Sequence, residues 1–288
     1  MCAISTGVAV LGMRTVKLNP MTNVAAYLRA YDDQLRTDAE VRAADSVETH
    51  GPLRLATFAG GHGFVTYRDL GEEAATAESV AELVRFAHDY FASRDDVVDV
   101  EWKTRAHDSA PGLHDALVNS GFVPDDSESV MIGALEALTE NDPAAELAEA
   151  GIIIRRITTE AEVRAMSAMA AIAFEEDEDT DRLDEMIEEL SGDSGVEFWV
   201  AEADGVIVSA GRLEPVADTD VVGIWGGATL HEYRGRGIYR ALTAARARAA
   251  LAAGKRFVHS DSTEFSRPIL ERSGLVKVTE TTPYIWER

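Results

Sequence analysis

Cysteine is nearly absent: Cys2 stands alone in 288 residues. No intramolecular disulfide can form, and nothing points to an oxidising compartment. Positive charge is also scarce, with 27 Lys and Arg against 51 Asp and Glu and a formal net charge of −24. Non-specific nucleic-acid binding needs a basic surface, so that class is set aside. No apolar run approaches the ~20 residues of a membrane-spanning helix, and no membrane partner is expected. The first dozen residues, Met1–Gly12, hold no Lys or Arg of the kind that opens a secretory signal. We read them as a ragged extension, with Met13 equally able to start the ordered chain, and expect a cytoplasmic protein. No Gly-Lys-Ser/Thr of a nucleotide P-loop is found, and no metal site is expected.

What is present suffices for a real core. Hydrophobic residues make up 46% of a length that suits one large or two ordinary domains. The acidity would steer cationic substrates; the plainer reading is solubility.

The most informative stretch is Arg234-Gly235-Arg236-Gly237-Ile238-Tyr239. It lies between a strand-like run, Val221–Leu230, and an Ala-rich helical run, Ile238–Ala253, closed by Gly254. From Tyr233 to Arg256 there are seven cations and no carboxylate. A glycine turn that opens a helix offers unpaired N–H groups to an anion. A cationic turn in so acidic a chain suggests a bound polyphosphate. Two rival readings are a plain helix start with surface arginines and a dinucleotide turn. The second lacks its third Gly and the chain to build the rest of its sheet.

Around this turn the pattern reads β-α-α-β-β-β-α-β-α-β-β. Ile152–Ile157 is a strand, Thr159–Phe174 a helix with Thr159 as N-cap, and Asp181–Leu190 a second helix. Glu197–Ala203 and Val206–Leu213 form a hairpin through Asp204-Gly205. Val221–Leu230 follows, with Gly226-Gly227 as a bulge signal. Arg256–Ser260 is a strand, Ser266–Ser273 a short helix, and Leu275–Thr279 and Pro283–Trp286 are the closing strands. The first half echoes this order. It offers a strand at Arg14–Leu18, a helix at Val24–Ala43, strands at Leu53–Phe58 and Phe64–Arg68, an amphipathic helix at Ser79–Phe91, a strand at Val97–Lys103 and a helix at Pro111–Asn119. Asn119-Ser120-Gly121-Phe122 and Arg272-Ser273-Gly274-Leu275 look like one helix–strand joint used twice. We infer a tandem repeat: residues 1–135, a polar Ala-rich linker at 136–150, where Asp142-Pro143 opens a short helix closed by Gly151, and residues 151–288.

Residues 151–288 resemble the GCN5-related N-acetyltransferases (GNAT), whose signature Gln/Arg-x-x-Gly-x-Gly/Ala matches Arg234–Tyr239 at all but the last position, where Tyr239 stands for Gly or Ala. The first half resembles a degenerate copy, because nothing between Phe64 and Ser79 matches the phosphate turn. The resemblance implies an α/β (α+β) fold with a mixed central sheet flanked by helices in each half. It also implies acetyl coenzyme A as co-substrate, held by Ala228, Thr229, Leu230, Arg234, Gly235, Arg236, Gly237, Ile238, Tyr239, Arg240 and Ser266. Arg240 and Arg248 share a helical stripe that could flank the phosphates.

The implied reaction is direct attack of a primary amine, of a small molecule or a peptide, on the acetyl thioester. The amine must lose a proton, the oxyanion needs a backbone donor near Gly226–Ala228, and the thiolate benefits from an acid. The family's usual acid, a Tyr on the last helix, is Leu270 here. Tyr239, Tyr233 and Tyr284 are substitutes by chemistry; for each, packing or coenzyme contact is the plainer role. Asp261 is the chosen base. Alternation along the strand is read as turning its neighbour His259 the other way, so that at most one enters the site. Glu175–Glu185 carries eight carboxylates and one Arg, which suggests a cationic acceptor or simply a solvated face. Glu101–Asp108 could line a pocket at a strand end or pack the two halves together, and the interface is the preferred reading. The alternative to an enzyme is a non-catalytic acyl-coenzyme-A-binding or regulatory module.

Overall fold

The computed structural model describes residues 20–288, apart from 193 and 265. The strand expected at Arg14–Leu18 and the stretch Met1–Gly12 lie outside the described residues. The first half runs α1 (Pro20–Gln34), β1 (Ser46–His50), β2 (Leu53–Phe58), β3 (His62–Thr66), α2 (Ala77–Ala92), β4 (Asp99–Arg105), α3 (Leu113–Asn119), β5 (Val123–Pro124) and β6 (Glu128–Ala134). Two short helices follow, α4 (Leu135–Thr139) and α5 (Ala144–Glu149). The second half runs β7 (Ile152–Ile157), α6 (Glu160–Phe174), α7 (Thr180–Ser191), β8 (Glu197–Ala203), β9 (Val206–Pro215), β10 (Val221–Thr229), α8 (Ile238–Ala252), β11 (Phe257–Ser262), α9 (Arg267–Arg272) and β12 (Val276–Glu287).

These strands form one mixed sheet in the order β1-β2-β3-β4-β12-β6-β11-β10-β9-β8-β7, with β5 beside β12. The two ends mirror each other. β2 and β3 are antiparallel and β3 and β4 parallel; β9 and β10 are antiparallel and β10 and β11 parallel. In the middle the halves exchange strands. β6, from the first half, lies against β11, and the second part of β12 lies against β4 from Asp99 to Arg105. The expected break between Leu275–Thr279 and Pro283–Trp286 is absent. β12 is continuous because its first part pairs with β6 and its second with β4, around a register shift at Lys277–Thr279.

The repeat is visible in detail. Phe122 N–H donates to Leu117 C=O at 3.0 Å and Leu275 N–H to Leu270 C=O at 3.1 Å, the same helix-closing bond in both halves. The run 136–150 is docked rather than loose: Leu138 and Leu147 are buried, and Asp142 accepts from Ala144 N–H at 3.0 Å. β6 is the element least visible in the sequence. Its Val130-Met131-Ile132 is buried on both faces, and an apolar run that short is ambiguous between strand and helix.

Helices α2 and α8 hold corresponding places but begin differently. Thr76 caps α2, accepting from Ser79 N–H at 3.2 Å, while Ser79 answers to Thr76 N–H. That satisfies donors an anion would need. No side chain caps α8, whose N-cap is Gly237 in the left-handed region at φ +84°.

Candidate active site

The cleft is made by strand geometry. β10 and β11 pair only over Val221–Gly223 and Phe257–His259. Beyond Gly223 they part, and β10 bulges from Trp225 to Ala228 against β9. Two strands that stop pairing leave backbone groups on their facing edges and a gap between them. The gap widens into a cleft of about 980 Å³ that reaches the N-terminus of α8.

That N-terminus is open to a ligand. Among the described residues no backbone carbonyl or side chain accepts from the N–H groups of Gly235 through Arg240; the first helical bond is Ala241 N–H to Gly237 C=O at 3.1 Å. Gly235 and Gly237 both have positive φ, +76° and +84°, which turns the chain so sharply that successive N–H groups face the cleft. Unpaired donors, the positive end of a 15-residue helix and Arg240 beside them fit a multiply charged anion. Arg234 serves the scaffold as well. Its guanidinium donates to Thr229 C=O at 3.0 Å and to Ala173 C=O at 2.8 Å, fastening the end of β10 to the end of α6.

Tyr239, the departure from the signature, is accommodated by Gly227. A Cβ on Gly227 would stand 2.8 Å from the Tyr239 ring. The bulged strand therefore needs glycine where the helix carries tyrosine.

Of the residues expected to hold the coenzyme, Ala228, Thr229, Arg234, Gly235 and Gly237 line the cleft, as do Ile238, Tyr239, Arg240 and Ser266. Leu230 does not: its N–H is spent on Val208 C=O at 3.0 Å and its side chain packs in the core. Arg236 does not either, since its guanidinium lies 4.9 Å over the Tyr233 ring. Arg248 is turned away and pairs with Asp142 at 2.5 Å.

The three residues chosen for proton chemistry fare differently. Tyr239 and Asp261 line the cleft. Tyr284 does not. It lies on the exchanged part of β12, in the core of the other half, and its hydroxyl meets His114 Nδ1 at 2.9 Å. Sequence reasoning kept it with its own half because strand exchange leaves no local trace.

Asp261 and His259 share one face of β11, two positions apart, and not opposite faces. His259 Nε2 lies 3.0 Å from one carboxylate oxygen of Asp261, and Lys103 Nζ lies 3.1 Å from the other. Burial alone would push the Asp261 carboxyl up; Lys103 and His259 outweigh it and hold the group well below the usual carboxylate range. Lys103 is itself mostly buried, with 21% of its side chain exposed, and the Asp261 charge keeps its ammonium protonated above the ordinary lysine value despite that burial. Asp261 is thus an ionised partner locked in place, poorly suited to take a proton by itself. His259 stands 5.4 Å from the Trp225 ring, directly behind the wall that Trp225 and Asp261 line.

Glu101–Asp108 does join the halves. Besides Lys103, Thr104 donates to Thr282 C=O at 2.9 Å, and His107 Nδ1 lies 2.8 Å from Thr279 Oγ1. Arg105 is buried against Glu40 and Tyr31. Glu128 and Glu101 face the same junction. Burial, and for Glu128 the nearby Asp261 charge, raises both carboxyls above their ordinary value.

Sequence reasoning missed Phe174, which lines the cleft at 52% exposure. It also missed Arg246, 1% exposed in the floor, which donates to Arg212 C=O at 3.0 Å. Only the absence of carboxylates near α8 hinted at Arg246. Leu270 lines the cleft from the core, buried and with no polar group to offer. Among the described residues no cluster of metal-ligating side chains occurs, and no helix is long and apolar enough to cross a membrane.

Residues 163–274 match the acetyltransferase (GNAT) family model. No curated protein matches the chain by sequence. Among solved structures, a GCN5-related N-acetyltransferase from Kribbella flavida is 18% identical, with a TM-score of 0.62 over 91% of this chain and 94% of that one. One from Sphaerobacter thermophilus is 17% identical, with a TM-score of 0.60 over 92% and 91%. A tandem GNAT protein from the clavulanic acid biosynthesis pathway is 15% identical, with a TM-score of 0.57 over 93% and 96%. Residues 163–274 thus match the GNAT family model, and over most of its length the chain has the fold of these acetyltransferase structures.

Proposed function

We propose that the protein is an N-acetyltransferase that moves an acetyl group from acetyl coenzyme A to a primary amine of a small molecule or peptide in the cytoplasm. The observation that carries this reading is the cleft of about 980 Å³ that opens where β10 and β11 part and ends on the uncapped N-terminus of α8. Bound there, the coenzyme supplies an activated thioester. The N–H groups of Gly235–Arg240 take the pyrophosphate, and Arg240 adds a cation. The unpaired edge of β10 at its bulge receives the thioester oxygen, whose charge grows as the amine attacks. The His259–Asp261 pair accepts the amine proton through water, with Lys103 fixing Asp261. Tyr239, the phenol that lines the cleft, protonates the leaving thiolate. Phe174 and Trp225 wall the acceptor side. The carboxylates of Glu175–Glu185, directly after Phe174, favour an amine that arrives charged.

A second reading, a non-catalytic acyl-coenzyme-A-binding module, is favoured by two observations: Leu270 stands where the family's acid is expected, and Asp261 is consumed by Lys103. Calorimetry with acetyl coenzyme A, followed by thiol release across a panel of amines, separates the readings. Binding with amine-dependent thiol release supports the enzyme. Binding without turnover on any amine supports the module, and absence of binding refutes both.

A further inference from the structure

In so acidic a protein most arginines meet a carboxylate. Arg248 pairs with Asp142, Arg256 with Asp220 and Arg267 with Glu271. Among the described residues Arg240 and Arg272 make no ion pair and donate no side-chain hydrogen bond, although they border the same space. Both line the cleft, and both line a second cavity of about 170 Å³ between α4, α8 and the end of α9. The two spaces meet at these two side chains. Arg240 folds back over the turn, with Nη2 3.6 Å from where a Cβ on Gly237 would stand. The opposite wall is the connection between the halves, with Asn141 and the carboxylate of Glu140. The Arg248–Asp142 pair ties that connection to α8.

Two unneutralised guanidiniums against one exposed carboxylate leave the small cavity net positive. Its place is one step beyond the turn that would take a pyrophosphate. On the coenzyme reading above, on which this inference rests, the one charge still unplaced is the phosphate monoester on the ribose. From this we infer that Arg240 and Arg272 form a second phosphate site, distinct from the α8 turn, which takes the 3′-phosphate of coenzyme A and makes the protein discriminate against coenzymes that lack it. Guanidinium is the suitable donor, because its fork meets phosphate oxygens in pairs. The connection between the halves thereby becomes part of the coenzyme site.

The test is calorimetry with coenzyme A and with dephospho-coenzyme A, on the full chain and on Arg272→Gln and Arg240→Gln. The full chain is expected to bind coenzyme A at least about tenfold more tightly, the size of one charge-assisted contact. Arg272→Gln is expected to lose about tenfold for coenzyme A and less than twofold for the dephospho form, so that the preference collapses. Arg240→Gln is expected to weaken both, and coenzyme A more. The inference is overturned if the full chain binds both ligands within twofold, or if Arg272→Gln weakens both equally. If neither ligand binds the full chain, the coenzyme reading itself falls, and this inference with it.

Discussion

The sharpest test of the α8 turn is a change of charge at Gly237 with shape held constant. Gly237→Asn and Gly237→Asp introduce side chains of nearly equal size. Both pay the same backbone strain at φ +84°, roughly 1 kcal/mol for an L-residue in the left-handed region. Both place a Cβ 3.3 Å from Pro143 Cγ, so the neighbour must give slightly in either case. What differs is the charge. At an effective dielectric of about 20, unit charges ~5 Å apart repel by roughly 3 kcal/mol. The Asp variant should therefore bind acetyl coenzyme A about a hundredfold more weakly than the Asn variant. Without ligand the sign reverses. A carboxylate beside the unpaired donors of α8 is favourable by ~0.3–1 kcal/mol, so the Asp variant should melt no lower than the Asn variant. Calorimetry gives the first number and thermal melting the second. Equal affinity in the two variants would show that no anion is held at this turn. An Asp variant that melts well below Asn would show that its weakness is unfolding.

Three further outcomes follow from the geometry. Tyr284→Phe removes the bond to His114, lowering stability by about 1 kcal/mol, and leaves amine-dependent thiol release unchanged; a tenfold fall in kcat would return Tyr284 to the proton chemistry. Lys103→Met leaves Asp261 buried without its main partner and should destabilise by about 3 kcal/mol in chemical denaturation, most of it recovered in Lys103→Met with Asp261→Asn; full stability in the single variant would contradict a buried pair. Glu162 closes the capping box of α6, and hydrogen bonds from Arg155, Thr158 and Thr159 pull its carboxyl down to about 2. Its folded value is depressed, so its stabilisation is complete above the unfolded value of ~4.3 and disappears as pH falls through about 2. Glu162→Gln should therefore melt below the parent at pH 7 and level with it near pH 2, and a gap that persists in acid would reject the assignment.

The sequence by itself determined whatever depends on neighbours along the chain. Gly235 and Gly237 were legible because a left-handed turn before a helix has few other solutions, and the uncapped donors of α8 follow from that turn. Thr159 was legible as a cap, Gly226-Gly227 as a bulge, and the duplicated Ser-Gly joint as a repeat. Each is fixed by φ, ψ and hydrogen bonds within a few residues. Tertiary structure alone decided what depends on pairing across long separations. The exchange of β6 and β12 took Tyr284 out of the cleft and brought Lys103 to Asp261 from 158 residues away. It also gave Glu128 and Glu101 their shared junction. Strand pairing is chosen by the burial of whole faces, and no local pattern records which strand comes to lie alongside another. The glycine turn and its uncapped helix start were therefore written in the hexapeptide, while the groups behind Asp261 were set by the sheet.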